Sequence, residues 1–314
     1  MIKVLVPKVH AAYGSQMMEM SGLNGFAIDL GGTKTAAARI CNGTIIERNQ
    51  TPTEQNANLD EHVASMSNLL GRLGYERGDT LGVAVTGRVD SSGIWHGVNT
   101  RTLSKIGSVE IGQKINTVIG CATIANDAAA ATLAEATLGS GVGYENFGYI
   151  TVSTGVGGGL VLSGRLHQSI NGLSGHVGFS SSSLARELCG SGRHGTVESI
   201  ASGNAIALAA IKAGHEGLDV RAVFEKAALG VDWAETIVET SANAVANLCA
   251  DLTAILGLQA VALGGSVGMA PGYMERVKVH LKRFPDIFQP NLVRSTLGSD
   301  GPLLGVLLHE IVQY

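Results

Sequence analysis

Two segments of this chain follow one plan, and together they limit what it can fold into. AIDLGGTKTAAARI (27–40) and YITVSTGVGGGLVLSG (149–164) each run a short apolar strand into a polar residue, turn on glycines and return as a second apolar strand. Glycine lets successive backbone N–H groups converge on an anion at such a turn. Taken singly, either segment is equally a plain hairpin with glycine at its turn. Neither is a Walker A loop, which would end in GK[ST] and continue as a helix. Two such turns in corresponding halves suggest two jaws around one polyphosphate. A third glycine pair, Gly264-Gly265, follows a short strand and would let backbone approach a nucleotide ring.

Around these segments, apolar runs alternate with helical patterns. The pattern predicts strands at 26–30, 35–40, 44–51 and 81–85, with a helix at 59–73. A strand at 117–125 is expected to lead into an alanine-rich helix at 128–138. Strands at 147–153 and 160–162 then repeat the opening, followed by helices at 204–213, 220–229 and 234–256, a strand at 260–263 and a helix at 272–284. The order is α/β, and 314 residues suffice for about two domains at roughly 150 residues each. The expected division is an extension at 1–25, a smaller domain at 26–125 and a larger one at 126–314.

A net charge of −4 gives a nucleic-acid surface no support. No run of roughly 18 apolar residues suggests a membrane span. The four cysteines are scattered, which fits a reducing cytoplasm better than a disulfide scaffold. With 45% hydrophobic residues the chain can bury a core, and the serine run 180–183 is expected to be a mobile loop.

Three further positions bear on chemistry. Asn126-Asp127 falls where a strand meets a helix. The pair suits an N-cap, and it equally suits a general base that takes a proton from an attacking hydroxyl while Asn126 holds the substrate. His176 in NGLSGHVGF and Glu198 in GTVESIASG stand among small and apolar neighbours, either as buried structural groups or as hydrogen-bonding partners of a polyhydroxylated ligand.

These stretches, AIDLGGTK, ANDAAAATLAE, ITVSTGVGGGLV, GLSGHVGF, VESIASG and LGGSVGMAPGYM, occur in an order and spacing that resembles the ROK sugar kinases, from Phe26 to about Glu310. Within that family the chain is most similar to the bacterial kinases of N-acetylmannosamine. The resemblance implies an α/β, actin-like ATPase (ribonuclease H-like) fold with two domains around a central cleft, the last helix (about 302–314) packing back on the smaller domain. It implies ATP and Mg²⁺ as cofactors, a small-molecule sugar as substrate, and a possible homodimer, with no nucleic-acid or membrane partner. Ala27, Ile28, Asp29, Leu30, Gly31, Gly32, Thr33 and Lys34 would form the first phosphate loop, with Asp29 acting on Mg²⁺. Val152, Ser153, Thr154, Gly155, Val156, Gly157, Gly158 and Gly159 would form the second, and Gly264 and Gly265 the adenosine side. Asp127 matches the catalytic base. Asn126, His176 and Glu198 match sugar-binding positions, and Gly87, Arg88 and Asn99 lie in the stretch that closes over the sugar.

His176 stands where ROK glucokinases usually carry glutamate, which favours an N-acetylated sugar over glucose. The family's zinc ligands fall on Phe179, Cys189, Ser191 and Thr196, and one thiolate cannot complete a tetrahedral site, so no structural zinc is expected. The implied activity is ATP-dependent phosphorylation of the 6-hydroxyl of N-acetylmannosamine. The alternatives are a ROK kinase for N-acetylglucosamine or glucose, a non-catalytic sugar sensor, and a ROK repressor. The last needs a DNA-reading helix that residues 1–25 do not supply.

Overall fold

The computed structural model describes residues 22–98 and 103–311. The chain opens with β1 (Gly25–Leu30), β2 (Lys34–Cys41) and β3 (Thr44–Pro52), then α1 (Leu59–Arg72), β4 (Leu81–Val85), β5 (Arg88–Val89), β6 (Trp95–His96), β7 (Ser108–Val109), α2 (Ile111–Val118), β8 (Thr123–Asn126) and α3 (Asp127–Leu138). It continues with β9 (Phe147–Val152), β10 (Val156–Leu162), β11 (Arg165–Leu166), α4 (Glu198–Ala201), α5 (Gly203–Lys212), α6 (Val220–Ala228) and α7 (Asp232–Leu256). β12 (Ala260–Gly264), α8 (Gly265–Gly268), α9 (Tyr273–Leu281), β13 (Asn291–Arg294) and α10 (Gly301–Ile311) complete it.

Two five-stranded sheets carry the architecture, in the orders β3-β2-β1-β4-β8 and β11-β10-β9-β12-β13, and β5-β6-β7 form a small third sheet. In the first, β1 is antiparallel to β2 and parallel to β4, and β4 is parallel to β8. Their carboxyl ends, at Leu30, Val85 and Asn126, therefore emerge side by side, which is where open α/β sheets place ligands. One face of this sheet is covered by α1 and α2 through Val63, Met66, Leu70, Ile111 and Ile115. An Asn58/Glu61 capping box starts α1.

Between the two large sheets lies a layer of two helices. α10 buries Leu303, Val306 and Leu307 against β1, β4 and β8, and α3 presents Ala130, Leu133 and Ala134 to the same cluster. Burial of each such leucine or valine contributes about 1.5–3 kcal/mol. On its other side α3 meets β9 and β10, where Ala131 packs with Phe147, Tyr149 and Val161. The close approach rests on small residues: a Cβ added to Gly305 would stand 1.8 Å from the Ala130 carbonyl oxygen. α4 to α9 cover the far face of the second sheet.

Three sequence expectations need correction. The segment expected as a strand at 117–125 is helix to Val118, because Ile111, Ile115 and Ile119 point one way at helical spacing into the core, and only Thr123–Asn126 pairs with β4. The glycines of the second motif are not all turn. β10 begins at Val156 and runs through Gly157, Gly158 and Gly159 in register with β9, the missing side chains leaving room for Thr132 and Val177. Core packing is also present before Phe26, since Leu23 is buried with Ala38 and Ile40 and β1 begins at Gly25.

Candidate active site

A cleft of about 320 Å³ opens between the two large sheets. Asp29 to the first side and Asn126-Asp127 at the start of α3 meet there, brought together because β1 and β8 flank β4 with their carboxyl ends level. Asn126 caps α3, accepting from Ala129 N at 2.9 Å through Oδ1, while its Nδ2 donates to Gly87 O at 2.7 Å and to Asp127 Oδ1 at 2.9 Å. The cap and the candidate base are thus one device: the amide that starts the helix also aims the neighbouring carboxylate.

Burial pushes the Asp127 carboxyl up to about 6, against hydrogen bonds from Ala128 N–H, Asn126 and Thr86 that favour its anion. Burial, helped by the charge of Asp127, pushes Asp29 further, to about 7, although Arg48 and Lys34 pull the other way. Asp29 Oδ1 is buried with no hydrogen-bond partner. A carboxylate oxygen left bare beside a second carboxylate fits a cation site, because a cation would satisfy the orphaned oxygen and relieve the repulsion.

The turn after β1 is pinned from the side. Gly31 N–H donates to Lys34 O, and Thr53 Oγ1 donates to Gly31 O at 2.8 Å, so Gly31, Gly32, Thr33 and Lys34 present a fixed edge to the cleft. The turn between β9 and β10 is pinned from behind. The first N–H groups of α5, from Gly203 and Asn204, donate to the carbonyls of Ser153 and Thr154. With the carbonyls held back, Ser153, Thr154, Gly155, Val156, Gly157 and Gly158 line the opposite wall.

Glu198, the first residue of α4, is buried and accepts from Val156 N at 3.1 Å and Gly190 N at 3.3 Å. It reaches the cleft while joining the second turn to the 180–196 loop. Its fit against Gly155 is tight, since a Cβ there would lie 2.7 Å from Glu198 Oε2. His176 also lines the cleft, stacked on Phe179 with ring centroids 5.7 Å apart, and burial holds its imidazole below the usual histidine range despite backbone hydrogen bonds at Ser174, Gly87 and Leu173.

Several expected residues lie elsewhere. Ala27, Ile28, Leu30 and Val152 are in the core, and Gly159 packs on Thr132. Gly264 and Gly265 do not line the cleft. Their lack of side chains lets Tyr149 and the Val152 carbonyl come close, and a Ser153–Ser266 hydroxyl contact at 3.2 Å links that corner to the second turn. Arg88 is turned to the carbonyl of Asn171 rather than to the cleft, Gly87 lines it, and Asn99 lies outside the described residues. Among the positions of the family's zinc ligands, the Cys189 thiol contacts Ser191 Oγ at 3.0 Å, and Thr196 is buried beside it; among the described residues no three His, Cys, Asp or Glu side chains converge.

Sequence reasoning missed Thr86, which directly follows β4 and bonds to Asp127, and Thr53, which pins the first turn from just past β3. It also missed the apolar lining at Val98, Leu103 and Phe179. Thr86 had a signal, a hydroxyl residue directly after an apolar strand; Thr53 had none.

A family model described as ROK family matches residues 25–309. An N-acetylmannosamine kinase of Haemophilus influenzae is 40% identical over 286 residues, which cover 89% of this chain and 92% of that protein. One of Citrobacter koseri is 39% identical over 285 residues, covering 90% and 97%. The crystal structure of a ROK hexokinase from Thermus thermophilus aligns with a TM-score of 0.76 and 29% identity over 91% of this chain and 97% of that one. Among the described residues, no helix is long and apolar enough to cross a membrane.

Proposed function

The chain belongs to the ROK family, and on that footing we propose that it is an ATP-dependent kinase that phosphorylates the 6-hydroxyl of N-acetylmannosamine. The observation that carries the reading is Asp127 at the foot of the cleft, aimed by Asn126 and flanked by two glycine turns that line its opposite walls. The relatives named N-acetylmannosamine kinase match this chain over most of both lengths, which supports the choice of sugar.

In this reading the turns at Gly31–Lys34 and Ser153–Gly158 hold the triphosphate from opposite walls. Asp127 accepts the proton of the 6-hydroxyl as that oxygen bonds to the γ-phosphorus. The bond from γ-phosphorus to the β,γ-bridging oxygen breaks, and ADP leaves. A buried carboxylate suffices as base because the hydroxyl proton becomes acidic only as attack proceeds, and most of the rate comes from positioning and charge stabilisation. Asp29 would hold Mg²⁺, whose charge offsets that of the phosphate oxygens. Lys34 adds a cation on the same side. His176, Glu198 and Asn126 offer donors and acceptors to the ring hydroxyls, and Val98, Leu103 and Phe179 offer apolar surface to an acetyl methyl group. The parts around the first sheet, 26–125, and those of 126–314 then act as two jaws, with closure excluding water.

The test is kcat/KM for a panel of hexoses and N-acetylhexosamines with MgATP, read by ADP release. N-acetylmannosamine is expected to lead. A lead for glucose or N-acetylglucosamine would overturn the sugar assignment, and absence of transfer to every sugar would overturn the kinase reading.

A further inference from the structure

Before His176, a segment that leaves the second sheet is tied to α10 and to the small third sheet. Past β11 the chain bonds Gln168 Nε2 to His309 Nε2 on α10 at 2.7 Å. It then meets the β5–β6 hairpin. Ser91 N–H donates to Ile170 O at 3.0 Å, the Arg88 guanidinium donates to Asn171 O, and Gly172, at φ +67°, lies so close that a Cβ would stand 2.1 Å from Val89 O. No other residue type fits both that backbone angle and that approach.

The turn is internally braced. Ser169 Oγ donates to Asn171 Oδ1 at 2.9 Å and accepts from Ser174 N at 2.9 Å, and Leu173 N donates to Asn171 Oδ1 at 3.1 Å. Two residues beyond Ser174, His176 enters the cleft. The placement of 168–174 therefore bears on where the imidazole stands, together with Phe179 and the backbone hydrogen bonds at Ser174, Gly87 and Leu173. Arg88, expected to touch the sugar, sits outside the cleft lining with its guanidinium on this turn.

Resting on the sugar-kinase reading, we propose that 168–174 is a strap over the sugar end of the cleft, and that Arg88 is a positioning residue that latches the strap to the β5–β6 hairpin instead of contacting the sugar. With the latch made, the strap holds His176 and excludes water from the phosphoryl acceptor position. With it broken, the strap from the second sheet and the β5–β6 hairpin of the third sheet move apart, and sugar enters.

The full chain and its Arg88→Ala, Arg88→Lys, Ser169→Ala and Arg88→Ala/Ser169→Ala variants test this in two arms. Without any ligand, amide exchange across 168–174 should be about tenfold faster in Arg88→Ala and near wild type in Arg88→Lys, which keeps a donor. Unchanged exchange in Arg88→Ala overturns the latch whatever the substrate is. With MgATP and N-acetylmannosamine, Arg88→Ala should raise sugar KM about tenfold with kcat within about threefold, and raise sugar-independent ATP hydrolysis relative to transfer about tenfold. The double variant should be no worse than the more affected single one, because both act through one strap. Effects that multiply would place Arg88 on the sugar itself and overturn the proposal. If the wild-type chain transfers to no sugar, it is the kinase reading that falls, while the exchange arm still decides the latch.

Discussion

Asp29 and Asp127 stand at the carboxyl ends of β1 and β8 with only β4 between them, and the charge on Asp127 reaches Asp29 strongly enough to help keep it protonated. Each must be ionised to act, one as a cation ligand and the other as a base. In the free enzyme the pair is held up at about 7 and about 6. We expect log kcat/KM to fall as pH drops through that window, with a limiting slope of about two because two protons are taken up. A slope of one in wild type, measured at constant ionic strength, would separate the two groups.

Asp127→Asn should fold and bind sugar, since Asn retains an oxygen to accept from Ala128 N, yet lose about 10²- to 10⁴-fold in kcat. Stopped-flow or steady-state rates beside sugar titration by calorimetry give both numbers. A kcat within a few-fold of wild type removes Asp127 from the role.

Asp29 carries a stability cost. Its folded pKa is raised, so between the unfolded value of 3.8 and about 7 the native state holds the proton more tightly, and stability falls as pH rises through that range. Asp29→Asn should therefore stabilise the ligand-free protein at pH 8, by about 1–2 kcal/mol after allowance for its partial opening to the cleft, while abolishing turnover. Thermal denaturation with and without MgATP checks this, the nucleotide being expected to protect the wild type more than the variant.

His62 works in the opposite sense. It is buried edge-on to Trp95 with Nε2 unpartnered, and burial lowers its pKa below 6.5. The unfolded chain then binds the proton more readily, and stability should fall as pH drops below about 6.5. Replacement by Phe should flatten the pH dependence of urea unfolding between pH 5 and about 7.

The 180–196 loop is held by hydrogen bonds. Arg193 donates to Phe179 O at 2.6 Å, Ser181 pairs with Thr196, and burial of the Cys189 thiol is outweighed by bonds from Ser191 and Thr196 that leave it below the usual thiol range. A zinc-selective chelator is expected to leave both melting temperature and transfer rate unchanged, whereas chelation of Mg²⁺ should stop turnover. Stoichiometric zinc in elemental analysis of the purified protein would contradict this.

The glycine turns, the Asn126-Asp127 junction and most strands were legible because each announces itself within a dozen residues. β4 is one apolar run, and α3 starts on its own cap. α2 was hidden by the β-branched Thr117, Val118 and Ile119, whose local preference is overruled by Ile111 and Ile115 in the core. The buried Glu135 carboxylate, which accepts from Ser295, Thr296 and Leu297 about 160 positions on, had no local signal at all. Neither did the turn of Arg88 toward Asn171, because resemblance transfers a residue's neighbourhood and not its rotamer.

The Gly305–Ala130 contact has a bearing on how the molecule is made. α10 follows every other described element in chain order, so a ribosome delivers it after all of them, and until then the side of α3 that faces it and the inner face of β1, β4 and β8 remain uncovered. The layer that holds the base-bearing α3 against the first sheet is thus closed only when α10 is added. A nascent chain stalled just short of α10 would expose a wide apolar surface to chaperones, with its reacting carboxylate already translated and not yet held in place.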